Sequence, residues 1–282
     1  MARDVMGRLN WNAGGGPAPA EPYDPPLRAP AELAGVIPTD FRTPYDVRDL
    51  LARIVDGASF EAFKSRYGPA TVCVQTSIMG QPCGVIGNNG PIAPAGATKA
   101  AQFIQLCDKS DLPIIFLHNT TGYMVGTESE QAGMIKHGSK MVQAVSNVSV
   151  PKIALYVGAT FGAGNYGMCG MAYEPDFLFA WPNAKANVMG GEQAAKTMRQ
   201  VAEIGAERKG VPVDEAALDA RTATIEAHFA REEDIFYGSG RLLDHGIIDP
   251  RDTHRVLGIV LQNCHEARAR ELNPNSFGIA RL

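Results

Sequence analysis

Apolar and polar positions change period several times along the chain, and each change marks an element. "TPYDVRDLLARIVDG" (43–57) spaces its apolar residues as a helix does, with Thr43 as the expected N-cap, Pro44 in the first turn and Gly57 as the stop. "TVCVQTSIMG" (71–80) and "CGVIGN" (83–88) read as strands, and "TKAAQFIQLCDKS" (98–110) as a helix. A short buried strand, "PIIFLHN" (113–119), precedes one long helix, "SEQAGMIKHGSKMVQAVSN" (129–147). The cycle repeats with "KIALYV" (152–157) as strand, "AGNYGMCGMAY" (163–173) as helix, "FLFAW" and "ANVMG" as strands, and "GEQAAKTMRQVAEIG" (191–205) as helix. From Pro212 the chain is mostly helical, interrupted by "EEDIFYGSGRLLDHGIIDP" (232–250). Strands alternating with helices through Gly-rich turns make this an α/β protein.

Residues 1–42 have a different texture. "NAGGGPAPAEPYDPPLRAPAE" is rich in Pro, Gly and Ala and reads as an extended linker. The short amphipathic piece before it, 3–11, is too short to be a stable helix alone and reads as the remnant of an upstream domain. The globular domain is expected over 43–282.

Composition narrows the classes. With 282 residues, 45% of them hydrophobic, the chain can bury a large core. A net charge of −4 leaves no basic footprint for nucleic acid or an anionic membrane surface. No run reaches the roughly 18 apolar residues that span a bilayer, and no apolar signal core opens the chain, so a cytoplasmic location is expected. Five cysteines, Cys73, Cys83, Cys107, Cys169 and Cys264, lie in or beside apolar runs without a CxxC pair and read as reduced, packed thiols. The six histidines are scattered without metal-ligand spacing, so no metal is expected.

One motif carries chemistry. "FGAGNYGMCG" (161–170) spells GxGxxG with Gly162, Gly164 and Gly167, after an apolar strand. A dinucleotide fingerprint needs the first Gly at the strand's end and an acidic residue at the end of the next strand. Here the strand is expected to stop before Gly158, and the next one ends in Trp181-Pro182. The nucleotide reading therefore fails. Two readings stay open on the residues alone: small residues for close helix–sheet packing, or a turn whose Ala163 and Gly164 N–H groups face a developing oxyanion at a helix start. A Gly164→Val change is expected to block that site sterically at modest cost in stability.

Several stretches resemble the carboxyltransferase β subunits of biotin-dependent acyl-CoA carboxylases. They are "YDVRDLLARIVDGASFEAFKSRYG" (45–68), "GVIGNNG" (84–90), "PIIFLHNTTGYMVG" (113–126), "PKIALYVGATFGAGNYGMCGMAYEPDFLFAWPNA" (151–184), "VMGGEQAA" (188–195) and "GIIDPRDTHRVLG" (246–258). "GAGNYGMCG" with "VMGGEQAA" is similar to the methylcrotonoyl-CoA and geranyl-CoA branch, and "HNTTGYMVG" with "SEQAGMIKHG" leans towards geranyl-CoA. The resemblance covers the family's C-terminal domain, and 3–11 resembles the last helix of the N-terminal one.

The resemblance implies a crotonase-like (ClpP/crotonase) ββα spiral with a helical C-terminal region. It implies carboxyl transfer from N-carboxybiotin, carried on a partner subunit, to an acyl-CoA. Ala163 and Gly164 match the pair whose N–H groups bind the biotin ureido oxygen, where negative charge collects as the carboxyl leaves. Gly162, Asn165 and Tyr166 are then expected around the biotin, with Thr121, Gly122 and Tyr123 as further pocket residues. The implied partners are a biotin carboxylase and biotin carboxyl carrier subunit, an N-terminal carboxyltransferase domain supplying the CoA site, and further copies in a homo-oligomer.

Other residues read more plainly. His118, at a strand end, is expected to be a hydrogen-bonded structural histidine, and Glu192 and Gln193 to complement a helix dipole. Cys169 reads as packing and "REED" (231–234) as a solvated face. Two alternatives remain: a crotonase-fold acyl-CoA hydratase, isomerase or decarboxylase, and a non-catalytic biotin-carrier docking module. The first wants an acid on the helix after the oxyanion loop, whereas the first acid here is Glu174.

Overall fold

The structure, a computed structural model, describes residues 22–38, 40, 43 and 45–269. The expected helical piece at 3–11, and Pro44, lie outside the described residues. Among the described residues, seven strands form one sheet in the order β1-β2-β3-β4-β5-β6, with β7 pairing β5: β1 Phe60–Ala62, β2 Thr71–Ile78, β3 Gln81–Asn88, β4 Ile114–Thr120, β5 Lys152–Phe161, β6 Phe177–Ala180 and β7 Lys185–Asn187. β1 to β3 are antiparallel neighbours, and β3, β4, β5 and β6 run parallel. Besides a short helix at Leu33–Val36, the α-helices among the described residues are α1 Val47–Ile54, α2 Pro94–Lys109, α3 Thr127–Gln131, α4 Met134–Asn147, α5 Gly162–Gly167, α6 Gly191–Lys209, α7 Glu215–Glu232, α8 Ile235–Ser239 and α9 Thr253–Ala269.

β4 shows why the sheet is buried on both faces. Successive side chains on a strand point to opposite sides. Ile115 and Leu117 join one core with Leu50, Ile54, Trp181 and Leu261, while Ile114 and Phe116 join a second with Phe103, Met141 and Met168. A continuous apolar strand of this kind is what a parallel sheet covered by helices on both faces requires.

Several boundaries differ from the sequence expectation, each for a tertiary reason. The N-cap of α1 is Asp46 rather than Thr43; its carboxylate accepts from Arg48 N at 3.0 Å and from Asn89 Nδ2 at 3.0 Å. The long helix over 129–147 is two, α3 and α4, because Gly133 takes a left-handed φ of +85° between them. The helix over 163–173 ends at Gly167, and Cys169 turns the chain with φ +61° before a short 3-10 turn, Met171–Tyr173. β5 does not stop before Gly158. It runs on to Phe161 because its last residues, Ala159, Thr160 and Phe161, pair with Lys185, Ala186 and Asn187 of β7. Gly162 thus follows the strand directly, and the case against a nucleotide turn rests on the next strand, which ends without an acid at Ala180.

Part of the expected linker lies on the domain. Leu33, in a short helix Leu33–Val36, is fully buried in the core, and Arg53 of α1 binds Glu32 at 2.7 Å. "REED" is not uniformly solvated either: Glu233 is buried and accepts from Lys185 Nζ, while Asp234 caps α8. All five cysteines are buried. Burial pushes the Cys73 and Cys169 thiols up to about 12, so neither is a thiolate near neutral pH.

The β2–β3 hairpin turns through Met79 and Gly80, with φ of +51° and +73°. Both central residues are left-handed, the arrangement that suits a tight hairpin and that Met does not favour. Asp56 compensates: its buried carboxylate accepts from Met79 N at 2.8 Å, Gly80 N at 2.9 Å and His254 Nε2 at 3.0 Å. Burial raises the Asp56 pKa, but these bonds outweigh it and hold the carboxyl below its usual range. Asp56→Ala is expected to destabilise the chain by about 2–4 kcal/mol by leaving those donors buried without an acceptor, read as a lower urea midpoint at unchanged slope.

Candidate functional site

The carboxyl ends of β4 and β5 lie side by side, the place where open α/β sheets bind ligands. From β4 the chain continues through Thr121, Gly122 and Tyr123; from β5 it passes directly into α5. The three glycines of GxGxxG answer to three neighbours. Gly162 has φ +54°, and a Cβ there would also sit 2.9 Å from Val188 O. At Gly164 a Cβ would lie 2.7 Å from Gly122 Cα, and at Gly167 it would collide with the Tyr123 hydroxyl. Close packing against the β4 loop and β7 accounts for all three.

The turn begins with the Ala163 and Gly164 amides. α5 has no side-chain cap, and first-turn amides of a helix have no acceptor within it. Ala163 is exposed on this turn while Gly164 is buried beneath it. With only six residues in α5, its dipole is small, so the donors themselves are the useful feature. Tyr166 is 47% exposed, its ring edge-on to Tyr173 at 5.7 Å, and stands beside the turn. Thr121 is exposed and lines a groove of about 800 Å³ that also meets Phe161, Glu192, Gln193, Glu226 and Glu233.

Two expected pocket residues point elsewhere. The Asn165 amide is turned inward, its Nδ2 donating to Tyr156 Oη at 3.0 Å and Thr160 Oγ1 at 2.9 Å. The Tyr123 ring packs against the second core and beside Gly138, so it backs the turn from behind. Gly122 is buried, with φ +126° and its N–H bonded to Thr120 Oγ1 at 3.2 Å. His118 is fully buried, bonded through Nδ1 to Thr160 Oγ1 at 2.9 Å. Burial drives its pKa down to about 3, partly opposed by the Met168 backbone, so it is neutral near pH 7.

Glu192 and Gln193 begin α6, as the sequence indicates, but they also wall the groove together with Glu226 and Glu233 from α7 and its end. The α7 residues carry no sequence signal for this; only the hairpin of α6 and α7 brings them there. Among the described residues, no cluster of three or more His, Cys, Asp or Glu has metal-binding geometry, and no helix is long and apolar enough to cross a membrane. Glu174 sits beyond the 3-10 turn with φ +47°, exposed and off α5, so no acid follows the turn on its helix.

The mostly parallel sheet with a Gly-rich, uncapped turn at its strand ends fits the crotonase-like fold that the resemblance implies. A match to the carboxyl transferase domain over residues 1–278 goes further: the chain belongs to that family. The probable biotin-dependent acyl-coenzyme A carboxylase β2 subunit of Mycobacterium tuberculosis is 47% identical over 283 residues, which cover 100% of this chain and 53% of that protein. The mitochondrial methylcrotonoyl-CoA carboxylase β chain of Arabidopsis thaliana is 45% identical, covering 92% of this chain and 44% of its own. The crystal structure of the geranyl-CoA carboxylase β subunit of P. aeruginosa superposes with a TM-score of 0.87 at 50% identity, over 100% of this chain and 53% of that one. The chain thus spans about half the length of the curated relatives it matches.

Proposed function

We propose that the chain provides the biotin-side half of the carboxyltransferase centre of a biotin-dependent acyl-CoA carboxylase, of the methylcrotonoyl-CoA or geranyl-CoA kind. The observation that carries this is the pair of uncapped amides at Ala163 and Gly164, presented where β5 ends. Gly162 and Gly164 seat the turn tightly against Val188 and Gly122, which fixes where those amides lie. Carboxybiotin, when bound, supplies the carboxyl group. The Ala163 and Gly164 N–H groups would hold its ureido oxygen, and Tyr166 and Thr121 would flank it.

These donors act without changing protonation. Negative charge gathering on an oxygen at the turn meets fixed N–H dipoles, so the chain itself needs no titrating side chain there. That agrees with a neutral, buried His118 and the absence of an acid on α5. The CoA site belongs to an N-terminal carboxyltransferase domain, and the biotin arrives on a carrier subunit charged by a biotin carboxylase. The protein works as a homo-oligomer in the cytoplasm, a reducing compartment that suits five buried thiols.

Mixing tests this directly. The 282-residue chain alone is expected to give no acyl-CoA-dependent decarboxylation of carboxybiotin, and activity is expected once the N-terminal half and biotinylated carrier are added. Transfer by the chain alone would overturn the half-site assignment. Carrier binding with no turnover in the complete mixture would favour a docking module.

A further inference from the structure

We propose that the side-chain chain His118–Thr160–Asn165–Tyr156, buried except at the half-buried Asn165, positions the Ala163–Gly164 amides, with Asn165 as the link between the sheet and the turn. This rests on the oxyanion role assigned to that turn above. Asn165 follows Gly164 directly, so fixing Asn165 anchors the chain one peptide beyond the two that carry the donor N–H groups, 162–163 and 163–164.

The geometry leaves Asn165 one arrangement. Both donor directions of its amide are used within the sheet, to Tyr156 Oη at 3.0 Å and Thr160 Oγ1 at 2.9 Å. Its Oδ1 lies against Gly170, where any Cβ would collide with it, and its backbone carbonyl accepts from Gly170 N at 2.8 Å. Thr160 and Tyr156 both belong to β5, and Thr160 is 1% exposed. β5 is held on one side by β4 and on the other by β6 and β7, so the anchors are as rigid as the sheet.

His118 closes the chain on the far side. Its ring lies 4.6 Å from that of Tyr156 and its Nδ1 meets Thr160 Oγ1 at 2.9 Å. The Thr160 hydroxyl, with one proton and two acceptor positions, accepts from Asn165 and joins it to His118. An apolar core could fill this space, so four linked polar groups directly under the donors are better suited to fixing one geometry than to filling a cavity.

Thr160→Val keeps the branched shape and deletes the hydroxyl. In the assembled carboxylase it is expected to lower kcat by about 10–100-fold with the acyl-CoA KM unchanged, the scale of a misplaced donor, and Thr160→Ser is expected to restore it. In the 282-residue chain, amide hydrogen exchange at Met168 and Gly170, whose N–H groups bond the Gly164 and Asn165 carbonyls, is expected to speed up at least about tenfold while exchange in α2 stays unchanged. Tyr156→Phe, which removes a single oxygen, is the second variant should Thr160→Val not fold, with the same exchange readout. Full kcat and unchanged turn exchange in a folded variant overturn the positioning role. Ala163→Leu, run alongside, separates the two ideas. If it is inactive while Thr160→Val is fully active, only the positioning role fails. If Ala163→Leu is fully active, the oxyanion role fails, and turn exchange still decides whether the network pins the turn.

Discussion

Ala163→Leu is expected to reduce carboxyl transfer by the assembled enzyme at least about 100-fold, with the melting temperature of the chain nearly unchanged. The choice of position comes from the structure. Gly164→Val is not the mild steric block its place in the motif suggests, because a Cβ at Gly164 already lies 2.7 Å from Gly122 Cα and 3.2 Å from the Gly122 carbonyl carbon. Backbone cannot rotate aside as a side chain can, so that variant disturbs the β4 loop and the turn together. Ala163 is exposed, and leucine is a strong helix former, so the larger side chain projects over the open face of the turn without breaking the fold. Removing one oxyanion donor costs about 3–4 kcal/mol in characterised enzymes, and covering the face denies access to both. Unchanged transfer by a well-folded Ala163→Leu enzyme would rule out these amides as the ureido-oxygen site.

Acid is expected to weaken the fold well above the range in which carboxylates titrate. His118 takes up a proton in the unfolded chain near pH 6.5 but, held neutral by burial, only near pH 3 in the folded one. Between those values the unfolded state binds the extra proton, so stability rises with pH and falls as pH is lowered. The slope from this one group is about 1.4 kcal/mol per pH unit, full stability being present above pH 6.5. Asp56 adds a separate loss at lower pH: its folded pKa is depressed, so its contribution is present above about pH 3.9 and disappears below that. Urea unfolding at stepped pH in the wild-type chain and in His118→Gln separates the two. The variant is expected to be less stable at pH 7 and to have lost the slope above pH 5; an equal slope in both would show that another group carries it.

Much of the protein was legible in the residues themselves. The unbroken apolar run in "PIIFL" marks a strand buried on both faces, and Ile114/Phe116 against Ile115/Leu117 divide between two cores as a strand's period of two requires. Gly-rich stretches mark the turns, and "GAGNYGMCG" marks the candidate site, whose family resemblance the carboxyl transferase match bears out. These features are local, set by spacings of two or four residues along one element, so a linear sequence displays them.

Tertiary structure decided the rest. Asn165 faces inward because Thr160 and Tyr156 of β5 offer acceptors, and His118 reaches Thr160 across 42 residues of sequence. Gly164 is tightly constrained only because Gly122, at the end of another strand, lies against it. Glu233 is buried only because Lys185 stands opposite, and Leu33 is in the core only because α1 and its neighbours receive it. Spacing along one element fixes which way side chains face, but the neighbour each one meets depends on where distant strands end, and that is set by the packing of the whole sheet.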